Sequence, residues 1–121
     1  MYQIWYTGKG ILLKGLEVGP AATRVIADFP KEIFDKFWTA MGEIREGQFL
    51  TLPLSRPMNI VAPGVHELRL KDRYGIYRIF YYLKVEDKIL VFHAFQKKTQ
   101  KTPYEEIATA KIRLKNMLED V

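Results

Sequence analysis

The stretch Val65-His66-Glu67-Leu68-Arg69-Leu70-Lys71-Asp72-Arg73-Tyr74-Gly75-Ile76-Tyr77-Arg78-Ile79-Phe80-Tyr81-Tyr82 decides the fold of this chain. Its first residues alternate: Leu68 and Leu70 are apolar, while Glu67, Arg69 and Lys71 are polar. That is the period of a half-buried strand. Asp72-Arg73-Tyr74-Gly75 has the composition of a four-residue turn, with Asp first and Gly last. Ile76 to Val85 reads as a long aromatic strand, Glu86-Asp87 as a tight connection and Lys88 to Phe95 as the next strand. Connections this short leave no room for crossover helices, so residues 65–95 are expected to form a three-stranded antiparallel meander.

The turn fixes a register. With Asp72–Gly75 as the turn, Lys71 pairs with Ile76 and Arg69 lies opposite Arg78. Both arginines then share a sheet face with Glu67, Phe80 and Tyr82, and Leu68, Leu70, Tyr77, Ile79, Tyr81 and Leu83 take the other. A two-residue turn at Glu86-Asp87 sets Phe95 opposite Arg78 and His93 opposite Phe80. Two arginines directly across from each other repel unless an acid or an anion relieves them. Glu67 is one candidate for that role. A phosphate is the other, because guanidinium forks match phosphate oxygens.

Outward from the meander, Tyr2 to Tyr6 reads as a first strand that joins the sheet at an edge. Gly8, Gly10, Gly15 and Gly19 punctuate a loop, with Ile11-Leu12-Leu13 as a short extended piece. Pro20 opens a helix carrying Ala21, Val25, Ile26 and Phe29. A second helix, with Ile33, Phe34, Phe37, Trp38, Met41 and Ile44 as its apolar stripe, runs from Pro30 to a stop at Gly47. Residues 48–64, with Pro53, Pro57, Pro63 and Gly64, read as mostly loop. Pro103 opens a last helix with Ile107, Ala110, Leu114, Leu118 and Val121 along one side. Strand, two helices, three strands and a helix, with the helices segregated from an antiparallel-rich sheet, mean α+β. No linker divides the chain, so residues 1–121 are expected to form one domain.

Composition narrows the chemistry. The chain has 121 residues, is 48% hydrophobic and has no cysteine, which excludes disulfide frameworks, thiolate zinc sites and cysteine nucleophiles. Two distant histidines, His66 and His93, make no zinc site. His93, between apolar strand residues, reads as a hydrogen-bonded core residue or, alternatively, as a site residue; His66 reads as structural or surface. No apolar run approaches ~18 residues, and the first residues lack a signal-peptide pattern, so a cytoplasmic protein without a membrane partner is expected. The formal charge is +5. Residues 1–65 carry a balance of only +1, whereas residues 69–101 carry +6. The excess therefore lies in one segment and points to a polyanion. That segment ends in Gln96-Lys97-Lys98-Thr99-Gln100-Lys101-Thr102-Pro103-Tyr104, where cations and an aromatic ring sit before a helix N-terminus. Glu105-Glu106, in the first turn of that helix, suit its dipole.

Glu67-Leu68-Arg69, Gly75-Ile76-Tyr77-Arg78, His93-Ala94-Phe95-Gln96-Lys97-Lys98-Thr99 and Thr102-Pro103 together resemble the RelE/HigB toxin superfamily, in particular the phage-derived, HigB-like (Gp49-like) branch of type II toxin–antitoxin modules. The resemblance covers residues 65–118 in order and spacing; residues 1–64 share only the layout. It implies a RelE-like fold and a ribosome-dependent mRNA endoribonuclease (an mRNA interferase) that inhibits translation, works without metal or other cofactor and is silenced by a cognate antitoxin of helix-turn-helix type. Residue by residue, it implies catalytic roles for Arg69, Arg78, Lys98 and Tyr104, and RNA contacts from Lys71, Arg73, Lys97 and Lys101. Arg78 would clamp phosphate, Arg69 would assist or act as the leaving-group acid, and Tyr104 would be the general base. Glu67 stands where RelE carries a lysine, and Lys71 or Arg73 would replace that charge. The alternative is a non-catalytic phage-derived homologue that binds antitoxin or RNA.

Overall fold

The computed structural model describes residues 5–6, 12–98 and 102–120, with side chains from residue 14 onward. Its elements in chain order are β1 (Trp5–Tyr6), β2 (Leu12–Leu13), β3 (Gly15–Val18), α1 (Pro20–Ala27), α2 (Lys31–Arg45), β4 (Ser55–Pro57), β5 (Val65–Asp72), β6 (Gly75–Tyr82), β7 (Lys88–Lys97) and α3 (Tyr104–Glu119). The main sheet is five-stranded and mixed, in the order β3-β7-β6-β5-β4. This is the expected α+β class, built on the expected meander β5-β6-β7.

The register at the centre is the one the turn dictates. Asp72 pairs with Gly75, Lys71 with Ile76 and Arg69 with Arg78. The Asp72 carboxylate fixes the turn by accepting the N–H groups of Tyr74 (2.8 Å) and Gly75 (3.0 Å). On β7, Phe95 lies opposite Arg78 and His93 opposite Phe80, as expected. Nearer the loop the register changes: Tyr81 pairs with Val91 and Tyr82 with Leu90. Phe92 is therefore the extra residue of a β-bulge. The connection is not a two-residue turn at Glu86-Asp87 but runs from Leu83 to Asp87, and Asp87 adopts φ 60°. Asp tolerates that conformation better than most residues.

The edges differ from the sequence reading. The strand beside β7 is β3, inside the glycine-punctuated stretch, and it runs parallel to β7. Trp5–Tyr6 pairs instead with Leu12–Leu13 in a separate two-stranded ribbon. The other edge is β4, a three-residue strand inside the proline-rich stretch read as loop. Ser55 pins it: its buried hydroxyl lies 2.6 Å from the Tyr81 hydroxyl.

Helices cover both faces of the sheet. Ile26, Ile33, Phe37 and Met41 of α1 and α2 pack on Leu68, Leu70, Ile79 and Tyr81. Ile107, Ala110, Leu114 and Met117 of α3 pack on Phe80, Leu90, Phe92 and Phe95. Met117 takes the place in the apolar stripe that was expected of Leu118, which is exposed; Val121 lies outside the described residues. Gly19 lets α1 start close to α3, since a Cβ there would lie 2.9 Å from the Met117 sulfur. At the end of α2, Gly47 (φ 96°) and Gln48 donate their N–H groups to Ile44 and Glu43, closing the helix in a Schellman motif.

Candidate anion-binding site

Alternation along β5, β6 and β7 brings ionic side chains to one end of the α3-covered face. The pairings Arg56↔Glu67, Arg69↔Arg78 and Ile76↔Lys97 bring four strands' worth of charge together. Glu67 is the hub, with 0% of its surface exposed. Its Oε1 accepts the Nε–H of Arg56 at 2.9 Å. The Nε atoms of Arg69 and Arg78 lie 3.8 and 3.7 Å from the same oxygen, within ion-pair reach but beyond hydrogen bonding. Oε2 accepts the Thr102 hydroxyl at 3.2 Å. Glu67, one of the two candidates for relieving the arginines, does pair with both, but its hydrogen bond goes to Arg56.

The cluster remains strongly positive. Arg56, Arg69, Arg78 and the buried Lys97 face one carboxylate. Burial, then repulsion from Arg69 and Arg56, lowers the Arg78 pKa, with Glu67 acting against the shift. Burial lowers the Lys97 pKa too, followed by repulsion from Arg78. Arg78 donates one Nη1–H to the Tyr77 carbonyl at 3.2 Å. Among the described residues, the buried Nε atoms of Arg69 and Arg78 have no hydrogen-bond partner. Both arginines line a cavity of about 360 Å³ together with Pro53, Leu54, Leu70, Lys71 and Ile76. Buried guanidinium donors without partners beside an open cavity are suited to a phosphate-like anion.

Compared with known families, residues 24–115 match the family described as Phage derived protein Gp49-like (DUF891). The chain belongs to this Gp49-like family. The matched span holds Arg56, Glu67, Arg69, Arg78, Lys97 and Thr102. Among curated proteins, none matches the chain.

In this Gp49-like chain the residues expected at the site divide into two groups. Arg69, Arg78 and Lys97 come together, and Lys71 joins the first two at the cavity. Arg73 sits on the turn, exposed, with its guanidinium 5.4 Å from the Tyr74 ring centre. Lys98 is exposed one residue beyond β7, and Tyr104, the first residue of α3, is 82% exposed. Neither has a described contact with the arginine cluster, although each lies within two residues of one of its members, Lys97 and Thr102. Lys101 lies outside the described residues. Sequence reasoning missed Arg56 and Thr102. Arg56 lies on a strand too short to show a period, and Thr102 lies in the lysine-rich segment, 35 residues from the carboxylate it bonds. No group of His, Cys, Asp or Glu among the described residues could hold a metal ion, and no described helix is long and apolar enough to cross a membrane.

A second polar network in the Gp49-like fold ties α3 to β7. His93 Nε2 lies 2.7 Å from Glu106 Oε1, and Arg113 Nη1 lies 2.7 Å from His93 Nδ1. Arginine can only donate, so this geometry assigns a bare Nδ1 and an Nε2–H donated to Glu106, which is the neutral imidazole. His93 is thus a hydrogen-bonded core histidine, and Glu106 is its partner rather than a free charge at the helix end. Burial, with Arg113 adding to it and Glu106 opposing, lowers the His93 pKa. Burial also lowers that of His66, which stacks on Tyr81. A depressed histidine pKa means that the unfolded chain binds the proton more readily. Stability is therefore complete above about pH 6.5, the ordinary histidine value, and falls as pH drops through it. Urea unfolding between pH 7.5 and 5 should show this decline, at up to about 1.4 kcal/mol per pH unit per histidine. The slope should be smaller in His93→Gln, and an unchanged slope would exclude His93 as its source.

Proposed function

We propose that this Gp49-like protein is the toxin of a type II toxin–antitoxin module, a RelE/HigB-like endoribonuclease that cuts mRNA on the ribosome. The observation that carries the reading is that Arg69 and Arg78, whose Nε–H groups no protein acceptor takes, line one open cavity. In this reading the RNA's own 2′-hydroxyl attacks the adjacent phosphorus. A 2′-oxygen–phosphorus bond forms, the bond to the 5′-oxygen breaks, and the departing oxygen takes a proton from water, which leaves a cyclic phosphate and a 5′-hydroxyl. Arg78 and Arg69 stabilise the charge that builds on the phosphorane oxygens. Lys71, Arg73, Lys97, Lys98 and Lys101 neutralise RNA backbone. Tyr104, exposed at the start of α3, takes the 2′-hydroxyl proton once RNA is bound. The protein acts in the cytoplasm, on ribosomes, and is silenced by a cognate antitoxin of helix-turn-helix type.

A second reading, a non-catalytic homologue that binds RNA or antitoxin, is favoured by one observation: a buried carboxylate, Glu67, sits at the centre of the arginine cluster. Primer extension on an mRNA incubated with purified protein, with and without translating ribosomes, decides between them. Cuts that appear only with ribosomes are expected. Intact mRNA in both arms would leave the binding reading.

A further inference from the structure

Glu67 is a buried carboxylate in a site whose ligand would itself be an anion. For bound phosphate, Coulomb's law alone makes this residue a liability. Its geometry gives a different account. Arg69 and Arg78 face each other on adjacent strands and would repel each other toward solvent. Two carboxylates between them would hold them but use up their donors. One carboxylate, hydrogen-bonded by Arg56 and Thr102, does neither. It attracts both guanidinium groups from 3.7 and 3.8 Å and leaves both Nε–H groups without an acceptor.

We propose that Glu67, fixed by Arg56 and Thr102, is the positioning residue of the anion site, holding Arg69 and Arg78 as a preformed pair of donors for one phosphate group. The nature of the ligand rests on the RNA reading above; the preformed arrangement of the arginines does not. Arg56, whose Nε–H is already given to Glu67, belongs to the support and not to the ligand contact.

Charge and positioning predict opposite signs. Glu67→Gln keeps the volume and an acceptor oxygen but removes a negative charge, so Coulomb attraction alone would tighten binding of an anion. Positioning predicts about tenfold weaker binding, the cost of ordering two loosened side chains. The probe is a single-stranded 2′-deoxy oligonucleotide, which has no hydroxyl for self-cleavage, and its affinity is followed by fluorescence anisotropy. In 15N spectra of the arginine side chains, the Nε–H signals of Arg69 and Arg78 should shift on titration while that of Arg56 stays. In Glu67→Gln the three signals should broaden and lose their separation before any ligand is added. Arg56→Lys, which leaves the net charge unchanged and replaces the planar guanidinium with an ammonium that lacks the Nε–H, should weaken binding in the same direction and serves if Glu67→Gln does not fold. Equal or tighter binding by a folded Glu67→Gln protein would overturn the proposal. So would an Arg56 signal that shifts as far as the other two. If the native protein ignores the oligonucleotide, the claim of a phosphate ligand for the free protein falls, and the ligand-free arginine spectra alone then decide whether Glu67 organises the cluster.

Discussion

Arg78→Ala should lower mRNA cleavage by about a hundredfold or more and relieve growth arrest on induction, while the protein stays folded. The size follows from removing one preorganised donor to charge that develops in the transition state, typically worth 10²–10³ in rate. Folding survives because Arg78 is one of four cations around a single carboxylate, and its loss leaves Glu67 hydrogen-bonded by Arg56. Removing a cation also relieves repulsion on Arg69 and Lys97. What is lost structurally is the packing of the buried aliphatic stem. Arg78→Lys should fail almost as badly, since an ammonium is a point charge without the fork. Thermal melting beside primer extension separates the two effects. Continued arrest by a folded Arg78→Ala protein would remove Arg78 from the mechanism.

The mirror experiment is Glu67→Ala, where the expected loss is in stability. It leaves Arg56, Arg69, Arg78 and Lys97 clustered with no anion among them. Breaking a buried ion pair by deleting one partner costs about 3–5 kcal/mol. The side chains of Arg56 and Arg69 are 39% and 32% exposed, so water screens part of the repulsion and the lower end of that range applies. Even about 3 kcal/mol is a large share of the 5–15 kcal/mol typical of a domain. Urea unfolding measures it, and added sulfate, by occupying the cationic cluster, should restore part of the loss. A loss below about 1 kcal/mol would mean that the cations disperse freely and that Glu67 is no hub.

The sites of these two predictions were readable to different depths. The pairing of Arg69 with Arg78 follows from Asp72 and Gly75, because a four-residue turn leaves the flanking strands no choice of register. Arg56 carries no such signal: Ser55–Pro57 is too short to alternate, and its place is set across the sheet by Tyr81. Likewise β3 pairs in parallel with a strand some seventy residues later, and nothing local announces such a partner. Glu106 was closer to legible. Glu106, Ala110, Arg113 and Met117 recur at helical spacing, so the acid and the arginine share the face on which Ala110 and Met117 are buried. A charge in a first helical turn invites the dipole explanation, yet here the face it occupies decided its partner.

The bulge at Phe92 gives β7 something like an expansion joint. Below it, His93 to Lys97 is held in step with Arg78; above it, Lys88 to Val91 is held in step with β3 and Tyr82. The extra residue separates the two halves, so the loop end takes its register from β3 and Tyr82 while the ionic end takes its own from the Asp72–Gly75 turn, and neither has to match the other across Phe92.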